Sequence, residues 1–181
     1  MSNRILLISE VAIMAALGVI LGFVKLGGPW AFGGSVSLEM VPIFIMAFRR
    51  GVAGGVLTGL MIGLLQLLFS PYLYFPLQIV LDYPLAFLLV GLAGLVRPKS
   101  KDAFGKRVTL IIVGTFIGSL LRLVSHVISG VAFFASSAPE GTSAFVYSIT
   151  YNSTYIVPTF ILTVILVIML SKTAPKLIHG E

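Results

Sequence analysis

Cysteine is absent from the 181 residues, which removes disulfides, thiolate metal sites, iron–sulfur clusters and cysteine nucleophiles from consideration. Charge is nearly as scarce. Twelve Lys and Arg and six Asp and Glu make up 10% of the chain, against about a quarter in a soluble domain. Hydrophobic residues fill 58% and the mean hydropathy is +1.10. Such a composition suits lipid, so the chain reads as an integral membrane protein of single-domain length, residues 1–181. The sequence pI of 9.8 does not point to nucleic acid, because that needs Lys and Arg clustered with interleaved aromatics. Here the cations are scattered between apolar runs. The chain also lacks G-x-x-x-x-G-K-[ST], H-E-x-x-H and G-x-S-x-G. It therefore carries no nucleotide-binding loop, zinc-protease helix or nucleophile elbow of those kinds.

What is present is apolar sequence, cut by charge clusters and by Gly and Pro. At roughly 20 apolar residues per crossing, six spans are expected: Ile5 to Val24, Val36 to Phe48, Val52 to Phe69, Leu77 to Val96, Val108 to Phe134 and Phe145 to Leu170. The second is short and contains Glu39 and Pro42, so it is a partial span or one extended by its flanks. The first is read as a packed helix rather than a cleaved targeting signal. Glu10 interrupts it, Ala12, Ala15 and Ala16 suit packing, and more membrane sequence follows.

Positive charge is retained in cytoplasmic loops. An inside amino terminus places Arg4, Arg49, Arg50, Arg97, Lys99, Lys101, Lys106, Arg107, Lys172 and Lys176 on the cytoplasmic side and only Lys25 outside. Both termini are accordingly expected in the cytoplasm. The inner loop RPKSKDAFGKR, Arg97 to Arg107, suits contact with anionic lipid. The outer segments KLGGPWAFGGS and ASSAPEGT are connectors of a kind that can fold over a site.

Ionisable side chains inside a span are costly and suggest a site. Glu10, near the inner end of its helix, has an easy escape to the interface. The others converge in depth. Glu39 opens the second span from outside, and Asp82 lies some five residues into the fourth. At 1.5 Å per residue, His126 comes after about 27 Å of rise along the fifth span and Arg122 about 6 Å before it. Tyr147, Ser148, Tyr151 and Asn152 begin the sixth span at that level, and Tyr72, Tyr74, Gln78 and Tyr83 flank the fourth. Arg122, His126, Gly130 and Phe134 recur every four residues and share one helix face. Structural bridging explains any one of these residues, but a whole polar layer suggests a binding site. Two carboxylates against one guanidinium leave one negative charge, which an organic cation balances. A flat aromatic cation also gains from Tyr and Phe faces. Tyr72 and Tyr74 fit an interfacial belt as well as a site, and Trp30 fits either a pocket cover or an interface anchor.

Taken in order, MSNRILLISEVAIMAAL, Glu39 with VPIFIMAFRRG, LDYPLAFLLVGLAGL, RLVSHVISGVAFF and AFVYSITYN make the chain resemble the substrate-binding S components of energy-coupling-factor (ECF) vitamin transporters, within them the thiamine-specific group. The resemblance implies an all-α protein of six transmembrane helices with an occluded pocket near the outer face, capped by the loop after the first helix. It implies thiamine as ligand and no cofactor. ATP would be used by two cytoplasmic ATPase subunits joined through a transmembrane T component that docks on Ala12 and Ala16. The implied thiamine contacts are Glu39, Asp82, Tyr83, Arg122, His126, Gly130, Phe134, Tyr147, Ser148 and Asn152, with Tyr72. Glu39 and Asp82 would offset the thiazolium charge, His126 and Phe134 would stack on the rings, and Tyr83 with Asn152 would hold the hydroxyethyl group. Arg122 would hold a carboxylate or meet the pyrimidine edge.

Three positions depart from the family pattern: Asp82 stands for Glu, Phe134 for Trp, and Ser35 for a cap Trp. They leave open a related vitamin such as a thiamine precursor, a pyridoxine-like compound or riboflavin. An intramembrane enzyme with Asp82 and His126 as an acid and base pair is the reading from another class. One His and two acids make a sparse metal-ligand set.

Overall fold

The computed structural model describes residues 3–26, 28, 30–69 and 71–179; Gly27 and Pro29 of the first outer segment lie outside the described residues. Helix α1 spans Asn3–Gly22. A two-residue antiparallel ribbon follows, β1 (Lys25–Leu26) with β2 (Val36–Ser37), in the register Lys25 to Ser37 and Leu26 to Val36. Then come α2 (Val41–Gln66), α3 (Pro76–Leu95), α4 (Phe104–Phe133), α5 (Ala144–Thr173) and a short α6 (Pro175–His179). Five of these helices are long and apolar enough to cross a membrane.

The second and third expected spans fall mainly in α2, although Val36 and Ser37 belong to β2 and Leu67 to Phe69 follow the helix, and α2 folds back on itself between them. Gly51 has φ 72° and ψ −164°, a conformation essentially restricted to glycine. A straight helix would put Glu39 and Gln66 about 40 Å apart. Instead the Gln66 amide donates to Glu39 Oε2 at 2.8 Å. The two arms, residues 41–50 and 52–66, are thus antiparallel, and the fold is a six-helix bundle. The first arm is the partial span: residues 41–48 are all buried, with Phe44, Phe48, Ile43 and Met46 at the centre of the core.

The second arm carries a glycine stripe that lets α3 approach at backbone distance. A Cβ on Gly59 would lie 2.1 Å from the Phe87 carbonyl oxygen, and one on Gly63 would lie 2.6 Å from that of Tyr83. Helix α3 is irregular where it meets this stripe. Pro84 lies within a π-helical turn, Leu81–Leu85, because its ring cannot fit an ordinary helical turn and supplies no N–H. The Ser125 hydroxyl donates to the Leu81 carbonyl at 2.6 Å, satisfying an acceptor in the widened turn.

One end of the bundle is basic. Glu10 does not simply escape to an interface, as its position suggests; it receives the Arg49 Nη2 at 3.1 Å and the Arg50 Nε at 2.5 Å, because the Gly51 reversal delivers both arginines beside α1. Arg97 Nε donates to the Phe48 carbonyl at 2.7 Å, closing the end of the short arm. In the loop before α4, Asp102 accepts from Lys106 at 2.7 Å, and this partner holds its carboxyl below the usual range.

Candidate functional site

At the other end of the bundle, side chains from α3, α4, α5, the residues leading into α2 and the first outer loop surround a cavity of about 310 Å³, at the lower end of the usual range for small-molecule sites, about 300–1,000 Å³. Glu39, Tyr72, Asp82, Tyr83, Arg122, His126, Gly130, Phe134, Tyr147, Ser148 and Asn152 all line it. The sequence pattern places them at one depth; the helix packing turns them toward one space.

The four ionisable groups form a continuous relay. Arg122 Nη2 donates to Glu39 Oε1 at 3.1 Å, and its Nε donates to His126 Nε2 at 3.3 Å. A guanidinium is always a donor, so His126 Nε2 accepts and the ring proton sits on Nδ1. That nitrogen faces Asp82 Oδ1 at 3.0 Å and donates to it. Arg122 also lies 4.3 Å from the centre of the Phe87 ring, a cation–π contact in a buried setting. Glu39 sits just ahead of the first residue of α2, where the helix dipole favours a carboxylate.

Two neutral amides complete the relay: Gln66, which the sequence reading passed over, and Gln78, which it named only as flanking the fourth span. Gln66 holds the second oxygen of Glu39. Gln78, fully buried, donates to Asp82 Oδ2 at 2.7 Å and to the Tyr72 carbonyl at 3.1 Å, and accepts from Tyr74 N–H at 3.0 Å. Tyr83 accepts from the Tyr72 N–H at 2.6 Å. The walls thus hold two carboxylates against one guanidinium, with Lys25 exposed at the mouth.

Gly130 does more than leave a gap along the α4 stripe. A Cβ there would stand 2.0 Å from Ser148 Oγ, so its bareness lets α5 close on α4. Ser148 donates to the Val127 carbonyl at 3.2 Å, Asn152 donates to the Ser148 carbonyl at 2.8 Å, and the buried Tyr155 hydroxyl donates to Asn152 Oδ1. Tyr155 and Tyr151 line the cavity beside these residues.

The mouth is aromatic. Phe32 lies 5.6 Å from Phe134, 6.2 Å from Tyr72 and 6.3 Å from Tyr151, between ring centres. Tyr74 stacks on Phe134 at 5.7 Å, so it belongs to this cluster without lining the cavity. Trp30 is not the cap aromatic. Its indole donates to Thr154 at 2.8 Å and its ring meets Tyr155 edge-on at 5.9 Å, and it does not line the cavity. Phe32, two residues further along the loop, is the aromatic of this segment that lines the cavity. A Phe at this point was a visible signal, but nothing local distinguishes it from Trp30.

The chain matches the family model described as thiamine transporter protein over residues 8–179. It is 43% identical to the thiamine transporter ThiT of Bacillus subtilis, covering 99% of this chain and 97% of that protein. It is 34% identical to ThiT of Lacticaseibacillus paracasei over 97% of this chain and 91% of that one. Its fold is similar to a solved structure of ThiT from Listeria monocytogenes, phased by native SAD, with a TM-score of 0.89 and 31% identity, covering 98% of this chain and 100% of that one. These bacterial relatives are named as transporters, which are not enzymes, and this goes against the reading of the chain as an intramembrane enzyme. With its layered ionisable relay, its aromatic mouth and its apolar spans, this chain belongs to the thiamine transporter protein family.

Proposed function

We propose that the protein is a thiamine-binding S component that takes up the vitamin in the cavity beneath Phe32 and delivers it through an ECF-type complex. The observation that carries this reading is the charge arrangement of the cavity. Arg122 is committed to Glu39 and to His126 Nε2, while the second carboxylate, Asp82, pairs with no Lys or Arg among the described residues. A thiazolium ring supplies that charge and presents a face to Phe134 and its neighbours. Asp82 and Glu39 offer acceptors to the aminopyrimidine, and Tyr147, Ser148 and Asn152 offer polar groups along α5. The positive-inside distribution of Lys and Arg puts both termini and the Glu10 to Arg49 and Arg50 cluster in the cytoplasm, and the cavity then opens outward.

Uptake needs an energy source that this chain lacks, and the ATPase subunits and T component of such a complex supply it. The docking face is α1. Ala12 and Ala16 are exposed on it, among Ile8, Ile13, Leu17 and Ile20, where small residues permit close helix contact.

Two measurements test the proposal. Calorimetric titration of the purified protein should give tight thiamine binding, with pyridoxine and riboflavin at least about 100-fold weaker, a difference near 2.7 kcal/mol. Preference for another vitamin would assign the same architecture to that ligand. In cells, replacing Ala12 and Ala16 together with Leu should abolish thiamine uptake while the purified variant binds thiamine as before. Unimpaired uptake would remove α1 from the docking face.

A further inference from the structure

The cap over the cavity is held by a hydroxyl that the charge relay does not use. We infer that Tyr151 is a positioning residue whose phenolic hydroxyl latches the first outer loop over the cavity and sets how long a bound molecule stays, an inference that rests on the binding role proposed above. The hydroxyl donates to the Gly33 carbonyl at 2.8 Å and accepts the Phe32 N–H at 3.0 Å. It thereby fixes two consecutive backbone groups of the cap to a helix 118 residues further along the chain. Phe32 is the residue so fixed, and its ring makes the mouth cluster with Phe134 and Tyr72.

The described residues around this latch supply hinge positions. The base of the loop is a ribbon of two residues per strand, which has little stability of its own. Gly33 and Gly34, at φ 90° and 109°, form a pair of hinge positions in the left-handed region. Gly34 presses so closely on α5 that a Cβ would lie 2.7 Å from the Tyr155 ring. A second tie, from Trp30 to Thr154 at 2.8 Å, falls one turn further along α5. The Tyr151 bonds exist only with the cap down. Their loss therefore acts on opening, and through it on the dissociation rate, more than on entry through an already open mouth.

Tyr151→Phe tests this, because it keeps the ring and its contacts with Phe32, Tyr147 and Tyr155 and removes both bonds. Trp30 is the sole tryptophan and reports on the cap without any ligand. Acrylamide should quench it more strongly in the ligand-free variant than in the unaltered protein, at an unchanged melting temperature. By stopped flow, thiamine should leave the variant about 10-fold faster, with its association rate changed less than about twofold. An analogue carrying pyridinium in place of thiazolium should be released faster by the same factor, since a latch is indifferent to what lies beneath it. Unchanged quenching, an effect confined to association, or acceleration of one ligand alone would overturn the latch. If the unaltered protein fails to bind thiamine, the proposed function falls while the quenching comparison still decides the role of Tyr151.

Discussion

Replacing Asp82 with Asn is expected to weaken thiamine binding about 100-fold or more while the protein stays folded. The carboxylate receives His126 on one oxygen and Gln78 on the other. An amide in its place can accept from one of these donors but turns its own NH2 against the other. The charge that would meet the thiazolium is lost as well. A hydrogen bond to a charged group contributes about 1.5–3 kcal/mol, and removing the cation's partner adds to it, so a loss near 2.7 kcal/mol, or about 100-fold, is a conservative figure. Calorimetry with thiamine gives the affinity, and the melting temperature of the ligand-free variant checks the fold. Full affinity in the variant would reduce Asp82 to a brace for His126 and would point to Glu39 as the group facing the cation.

Arg122→Met should cost about 3–5 kcal/mol of stability, because it leaves Glu39 buried without its cation. Glu39 and Arg122 are 6% and 8% exposed, too little for water to stand in for the missing partner. Gln66 remains on one oxygen of Glu39 but brings no charge. His126 Nε2 loses its donor at the same time. Removing the charge from both sides, with Glu39→Gln added to Arg122→Met, should restore at least about 1–2 kcal/mol, since a neutral pair carries a smaller desolvation cost. Unfolding of the four proteins of this cycle in one detergent measures the coupling. A cycle that closes with no coupling would mean that the guanidinium and the carboxylate are solvated independently. Thiamine binding should fail in Arg122→Met for a separate reason: Glu39 is no longer held in place.

The two outcomes distinguish the two halves of the relay. Asp82 stands at the cavity with a charge in surplus, and Glu39 with Arg122 forms the internal brace that fixes His126. The bridging reading of Arg122 and the ligand reading of Asp82 thus apply to different members of the same layer. Charge counting alone could not separate them, because both acids lie at one depth.

The amino-acid order by itself determined which segments are apolar enough for a bilayer, where the polar layer lies and which residues of α4 share a face. Hydropathy and the 1.5 Å rise act along a single segment, so Arg122, His126, Gly130 and Phe134 could be aligned without any knowledge of their neighbours. Even the reversal at Gly51 was marked, by Arg49, Arg50 and Gly51 between two apolar runs. Only the tertiary structure decided which acid meets which base, since Glu39 and Arg122 are 83 residues apart and Asp82 and His126 are 44 apart. It also chose Phe32 over Trp30 for the cap, and it revealed Gln66, Gln78 and Tyr151 as the groups that hold carboxylates and loop in place. A neutral amide or phenol carries no charge to mark it as part of an ionic site, and its partners are set by how each helix is rotated and how closely glycines let it approach, which no single segment encodes.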